Sequence, residues 1–544
     1  MRKLIILFLT ALAIVVAGCS SSNEALPPEK QKAAIQQGGQ LRYGSLQEPD
    51  TLNPLLSDLL ATAEVGRLVF SGLVSTNDKG EWLPDLASDV PTTANGGVTP
   101  DGLRITYRLR QGVTWHDGVP FTAEDVKFTW QLIMNQKINI VSRDGYDRIS
   151  AIETPDPNTV VVKFREYYPS YLTLFTTILP KHRLETAGDI NKAPFNRAPI
   201  GTGPFIFKEW QIAEAIIFEA NPTYFQGKPI LKKLIYKIVP DSSMLLTQLK
   251  AGEVDIISNI GFSYLEQVRA VEGVRTVITP TMIWEHMDFN LDNPLFQDAR
   301  VRKAVSIAID RQAIVTEVLR GAAIPAHSDQ SPLSWAYSPM QQTPAVDVNA
   351  ARDLLIQAGW TPGPDGIMTK DNKKLAFSLT TPVGNKLREH TAQKIAEQLK
   401  RIGVSVEVRP VDAALFFNEL LKGRRFEAAL YAWVAGIDPD NFNLWNSQRI
   451  PRSANGYTGK NYPGWRNQEV DQLTDLGMRT IDVAARKEIY FRIQDLLRED
   501  CPVVPLYFRG NIDAVKSVVA NYQPNSTFSG NLWNAWQWGF TVSK

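Results

Sequence analysis

Cysteine is nearly absent from this chain of 544 residues, which holds two, Cys19 and Cys501. Cys19 belongs to the leader described below, so the body keeps one thiol and cannot form an intrachain disulfide; its stability must come from packing. Histidine is also scarce. The five, at 116, 182, 286, 327 and 390, show no ligand spacing, which argues against nickel, a haem-like ligand or any other metal-held group. Neither sign of charge dominates: 58 Lys+Arg face 57 Asp+Glu, and two of the cations, Arg2 and Lys3, lie in the leader. A near-neutral body lacks the basic stripe that a nucleic-acid partner needs. No long apolar run follows residue 16, so no later membrane span is expected. Catalytic signatures are missing as well. His116 beside Asp117 has no nucleophile or third group at readable spacing and reads as a turn histidine fixed by its neighbours. Gly201-Thr202-Gly203 is not followed by Gly-Lys-Ser/Thr and reads as a tight backbone crossing, not a phosphate loop. Asp438 and Asp440, two apart on one loop, are poorly placed to straddle a glycosidic bond. The chain is therefore not expected to be an enzyme, and no catalytic residue, cofactor or metal is assigned.

What is present begins with a leader. Arg2 and Lys3 precede an apolar stretch from Leu4 to Val16, and Val16-Ala17-Gly18-Cys19 has the form of a cleavage site ending in cysteine. This looks like a bacterial lipoprotein signal, with Cys19 as the lipidated first residue of the mature chain; the alternative is an ordinary secretory signal with an incidental cysteine. The polar run to Gln40, with Pro27-Pro28, reads as a flexible tether. The protein is thus expected to be exported and held by lipid on an extracytoplasmic membrane face. At 44% hydrophobic residues it can bury large cores, and its length suggests about two to four domains.

Local patterns supply the elements. Leu41-Arg42-Tyr43-Gly44 reads as an edge strand, Thr62 to Phe70 as a helix, and Asn77-Asp78-Lys79-Gly80 as a hairpin turn. Arg104 to Leu109 alternates as a strand, and Thr122 to Asp125 forms a capping box. Asp298 caps one long helix ending at Gly321. Then come a strand at Leu375 to Thr380, a helix from Lys386 to Ile402, a strand at Val404 to Arg409, a helix capped by Asp412, and a strand at Phe426 to Val434. This β-α-β-α-β run requires parallel pairing with right-handed crossovers. The last strand opens into a loop bearing Asp438, Asp440, Asn441 and Phe442. Apolar strand giving way to polar and aromatic residues at its carboxyl end is how open parallel sheets present a ligand site. Thr381 to Asn385 would share that crevice at a helix N-terminus suited to an anion. Trp433 is open to either a cleft or a core reading, as are Trp284, Trp445 and Trp465, and Asp438-Pro439-Asp440 has the form of an ordinary Asx turn.

Taken in order, several motifs resemble family 5 extracellular solute-binding proteins, whose members include peptide- and nickel-binding components of ATP-driven importers. They include Gly72-Leu73-Val74 with Leu83-Pro84-Asp85-Leu86-Ala87, Leu109 through Gly118 with Phe121 through Val126, and Gly201-Thr202-Gly203-Pro204-Phe205 with Asn221-Pro222-Thr223-Tyr224-Phe225. Gly252-Glu253-Val254-Asp255, Arg300 through Ala304 with Ala308 through Arg311, and Val503-Val504-Pro505-Leu506-Tyr507 continue the series.

The resemblance implies an α/β fold of the type II periplasmic-binding-protein kind: bilobal, three-domain, with a hinge and an interlobe cleft. Its implied organisation is signal 1–19, tether 20–39, a first domain from 40–70, 201–289 and the return 506–544, a second inserted at 71–200, and a third at 290–505. The crossings near Phe289 and Pro505 would form the hinge. In peptide-binding members the ligand adds as a strand between two protein segments. Carried over, these are Asp58-Leu59-Leu60 and Trp433-Val434-Ala435. One departure stands out. The aspartate that meets the peptide amino terminus in several such proteins falls here on Gly436, leaving Asp438 or Asp440 to replace it or a ligand without a free amine there. The expected role is capture of peptides, or alternatively of an oligosaccharide that the 13 Trp would stack against, for delivery to an ABC permease and its ATPase subunits by a monomer.

Overall fold

The computed structural model describes residues 34–339 and 346–542, so the leader and Cys19 lie outside the described residues. The elements that position the site are β1 (Gln40–Ser45), α1 (Leu60–Val69), β2 (Val74–Thr76), β3 (Trp82–Pro84), β4 (Arg104–Arg108), α2 (Ala123–Met134), β5 (Ile149–Asp156) and β6 (Thr159–Phe164). They continue with β7 (Phe205–Gln211), β8 (Ala215–Ala220), β9 (Lys233–Ile238), β10 (Ile256–Ile257), β11 (Val274–Phe289), α3 (Ala299–Ala308) and β12 (Ala323–Pro325). The series ends with β13 (Ala376–Pro382), α4 (Lys386–Lys400), β14 (Ser405–Val411), β15 (Ala428–Val434), α5 (Val483–Asp500) and β16 (Val503–Lys516).

Eleven of these strands form one sheet in the order β14-β13-β15-β11-β16-β10-β1-β9-β8-β7, with β12 attached to β16. Its two ends serve different cores. One packs Leu41, Val65, Phe218 and Trp538 among others; the other packs Val305, Leu379, Ile395 and Leu430. A third core, around Val74, Trp115 and Val162, covers the separate antiparallel sheet β4-β6-β5. The fold is α/β and bilobal. The two long strands β11 and β16 run side by side between the sheet's ends. They pair antiparallel from Val274↔Lys516 to Pro280↔Gly510 and again from Trp284↔Phe508, with the ladder irregular between. A proline at the break fits, because it has no N–H to give the ladder.

Most local expectations match what is observed. β13 pairs in parallel with β14 and β15, the Thr122/Asp125 capping box closes the start of α2, and the turn after β2 leads into β3. Gly201 and Gly203 pass so close to Val69 that a Cβ on either would overlap its backbone, at 1.8 and 2.6 Å. His116 is fixed there, bonding through Nε2 to the Gly203 carbonyl (3.0 Å) and through Nδ1 to the Gly201 N–H (3.1 Å). Burial pushes its pKa down to about 4.

Two expectations are corrected. β1 is not an edge strand: it lies between β9 and β10, parallel to both, because Leu41 and Tyr43 carry apolar bulk that both neighbours help to bury. The long helix from Asp298 is interrupted after Ala308. Asp310 starts a new turn, its side chain accepting the Ala313 N–H, and the following Ile314–Val318 is wound as a π-helix. A capping aspartate competes with helical hydrogen bonds wherever it falls within an apolar-periodic run.

Candidate functional site

A cleft of about 600 Å³ opens where the two lobes meet. One wall is the solvent side of α1. Ala61, Val65, Leu68 and Val69 are fully buried on its inner face, a helical spacing, which leaves Ala63, Gly66 and Arg67 toward the cleft. Gly66 has a local reason: a Cβ there would lie 2.5 Å from the Pro54 ring, and Pro54 and Leu55 line the cleft beside it. The facing wall is Met282 of β11 with Val434, Ala435 and Ile437, at and beyond the end of β15. The Ala435 N–H donates to the Met282 carbonyl at 2.9 Å, which ties these two segments together. Thr173, Thr176 and Thr177 and the turn Ser526-Thr527-Phe528 complete the lining.

Among the described residues lining this cleft, Arg67 is the one that carries a charge. Its guanidinium donates to the carbonyls of Thr176 (3.1 Å) and Phe528 (2.9 Å) and lies 5.4 Å from the centre of the Phe528 ring. It binds three distant chain segments together. Burial lowers its pKa to about 10, so it stays charged at neutral pH. Behind it lies a second, more polar cavity of about 440 Å³ that includes Asp85 and Gln226. Asp85 accepts from the Gly72 N–H and from Gln226, and burial lifts its pKa to about 6.

The strand ending at Val434 has an open edge. Along its full length β15 pairs with β11, from Ala428↔Phe289 to Val434↔Ile283, whereas its pairing with β13 covers Ala428 and Ala429 alone. Val434 is 74% exposed. Trp433, half-buried, lies parallel to Tyr462 with centroids 6.0 Å apart, and the Lys460 ammonium sits 4.8 Å from its ring centre. Gly436 is exposed.

The polar part of the loop is used otherwise. Asp438 forms a two-pronged pair with Arg486, at 2.8 and 2.7 Å, and also accepts the Asp440 N–H, an Asx turn. Asp440 accepts the Phe442 N–H at 2.9 Å; desolvation raises its pKa. Asn441 is buried and donates to Asp329, as does the Trp445 indole. Phe442 is buried under the Arg449 guanidinium. Trp284, Trp445 and Trp465 are 1–3% exposed and are core residues, which settles their open assignment. Asp58 is exposed and Leu59 half-buried, at the start of α1; neither is among the residues lining the cleft, where Pro54, Leu55 and Arg67 stand instead.

The expected anion site before α4 is already filled. The Gly384 N–H donates to Glu389, which also pairs with Lys386. Arg388 pairs with Glu285 on β11, and Arg509 on β16 meets the same carboxylate. Although burial pushes the Glu285 pKa upward, the two guanidinium groups hold it below the usual carboxylate range. Among the described residues no cluster of His, Cys, Asp and Glu is arranged to hold a metal ion, and no helix is long and apolar enough to cross a membrane.

This geometry, a broad cleft between lobes joined by two long strands, can enclose a solute. Residues 81–453 match the family model for bacterial extracellular solute-binding proteins, family 5. The chain belongs to that family. Family 5 proteins are substrate-binding components of ABC transporters and not enzymes, and they work outside the cytoplasm. The chain is 32% identical over 543 residues to the oligopeptide-binding protein AppA of Bacillus subtilis, covering 97% of each. The structure of that AppA in complex with a nonapeptide aligns with TM-score 0.61 at 30% identity, over 94% of this chain and 100% of the other. NikZ from Campylobacter jejuni in complex with Ni(L-His) aligns with TM-score 0.63 at 29% identity, over 92% of this chain and 99% of the other.

Sequence reasoning placed the facing wall near the end of β15 but did not anticipate Arg67, Thr176 or Phe528. A signal for Arg67 existed, since it falls on the polar face of an amphipathic helix beside Ala63. Nothing periodic marks the other two.

Proposed function

We propose that this family 5 protein captures peptides in the 600 Å³ cleft and delivers them to an ABC permease and its ATPase subunits, working as a monomer tethered through a lipidated Cys19. The observation that carries the peptide reading is the open edge of β15 beyond Ala429, beside a cleft whose one charge, on Arg67, is already held by two carbonyls. An extended backbone adding at such an edge gains main-chain hydrogen bonds whatever its side chains. Val434, Ala435 and Gly436 are the proposed contact segment. Trp433 stiffens it, and Asp438, Asp440, Asn441 and Phe442 support it from behind. Asp58 and Leu59 at the start of α1 are the proposed opposite rim. With Asp438 engaged by Arg486 and glycine at 436, a free amino terminus is not required at this point.

Closure is proposed to pivot on β11 and β16 at their crossings near Phe289 and Pro505, between a first domain of 40–70, 201–289 and 506–544 with the inserted 71–200 and a third domain of 290–505; the ladder break at Pro280–Trp284 lies just inside the first domain. Native mass spectrometry of the purified, unlipidated protein tests the ligand class. Co-purified peptides of mixed sequence are expected, and a thermal-shift screen should show about 2.7 kcal/mol of stabilisation by a bound peptide at a hundredfold over its dissociation constant. An oligosaccharide that stabilises the protein while no peptide does would overturn the peptide reading.

A further inference from the structure

A smaller cavity of about 160 Å³ lies at the seam between the lobes. It neighbours the cleft, since Thr173 and Ile437 line both spaces. Its walls come from both sides. Trp82 at the start of β3, Tyr167 and Tyr171 belong to one lobe; Trp335 and Ile481 belong to the other. The seam is a true contact, since Ile481 packs against the core around Val74 and Trp115 and the Tyr167 hydroxyl reaches the Thr480 carbonyl at 3.5 Å.

Several polar groups at its border are already engaged, among them Glu81, which accepts from the Asn77 amide at 2.7 Å. The Tyr171 hydroxyl donates to the Pro91 carbonyl at 2.9 Å, and the Arg486–Asp438 pair closes on itself. Arg486 also lies 5.6 Å from the centre of the Trp335 ring, so its charge is partly met by that π-face. What remains toward the cavity is mostly ring and aliphatic surface. Its size is informative, because an apolar cavity of roughly 150 Å³ is large enough for a benzene ring.

We propose that this seam cavity is a specificity pocket for one aromatic side chain of the ligand, entered from the cleft between Thr173 and Ile437. The inference rests on the peptide reading and sharpens it: the backbone is held without regard to sequence, while one ring is chosen. Since both lobes build the pocket, the same ring contacts both and favours the arrangement in which they touch.

The test is calorimetric titration of the full mature chain with pentaalanine and with five variants carrying one phenylalanine at each position in turn. One placement is expected to bind about tenfold tighter than pentaalanine, a gain in keeping with burial of a ring. Leu172→Trp, which fills the cavity from its wall, should erase that gain and leave pentaalanine binding unchanged. If all six peptides bind within twofold of one another, or if the gain survives in a folded Leu172→Trp protein, the pocket is wrong and peptide capture stands. If none of the six binds, both readings are overturned. The wild-type series decides the matter even if the variant does not fold.

Discussion

Residues 434–437 and residues 438–442 are neighbours in one loop with opposite fates. The first four carry no charge and no side-chain hydrogen-bonding group, and three of them, Val434, Ala435 and Ile437, line the cleft. The next five include two carboxylates and an amide, the chemistry that most invites a binding role, and they fasten the loop: Asp438 to Arg486, Asp440 to the Phe442 N–H, Asn441 to Asp329. Chemically attractive side chains here hold the backbone in place, and bland residues present it. That division suits a protein whose ligand is recognised through its main chain, because a presented strand edge is useful only if it is rigid.

The fastening half should break most severely. Arg486→Met leaves Asp438 without its partner at a site where the arginine side chain is 4% exposed, and a broken buried pair costs about 3–5 kcal/mol. Urea unfolding should show that loss. Asn441→Ala removes one of the donors to the buried Asp329 carboxylate, whose pKa burial already raises; a loss of about 1–3 kcal/mol is expected from an under-satisfied buried acceptor, read by the same unfolding curves.

The presenting half should behave in the reverse sense. Val434→Asp alters a side chain 74% exposed, so stability should stay within about 0.5 kcal/mol, while calorimetry should show peptide affinity falling about tenfold as a charge enters a nearly uncharged cleft. Gly436→Asp sharpens the comparison further. A Cβ there meets the Asp438 backbone, its carbonyl oxygen at 3.4 Å and its nitrogen at 3.9 Å, both ordinary contacts, so the fold should tolerate it. The new carboxylate should make peptides with a free amino terminus bind several-fold tighter than N-acetylated ones, a preference weak or absent in the parent.

The smallest effect concerns pH. Burial depresses the Arg67 pKa to about 10. A buried cation costs stability while charged, and that cost is relieved only as pH rises toward the folded value. Between pH 5 and 8 Arg67 itself stays charged, and the Asp85 carboxyl behind it, which titrates there with its pKa lifted to about 6, lines the second cavity and is not among the described residues that line the cleft. Affinity for N-acetylated, C-amidated peptides should therefore change less than about twofold across that range.

The sequence carried much of this fold, because glycines after helices, capping aspartates and alternating strands are local signals; β13 through β15 formed as their pattern requires. The interior position of β1 was not legible, since six residues do not reveal how many neighbours they will have. For the site, Val434 and Ala435 were reachable through the resemblance, but the occupation of Asp438 was not. Arg486 lies 48 positions away on a helix whose own pattern gives no reason to look toward the loop. Thr176 and Phe528 meet Arg67 across still longer separations, fixed by tertiary packing alone.

Hydrogen–deuterium exchange of backbone amides with and without a saturating bound peptide tests the division of the loop most directly. Protection should rise at residues 430–437, where the open strand edge gains a partner, and stay unchanged at 441–446, already bonded within the protein. Unchanged exchange at 430–437 with new protection confined to 438–446 would contradict the account and return the binding role to the carboxylates.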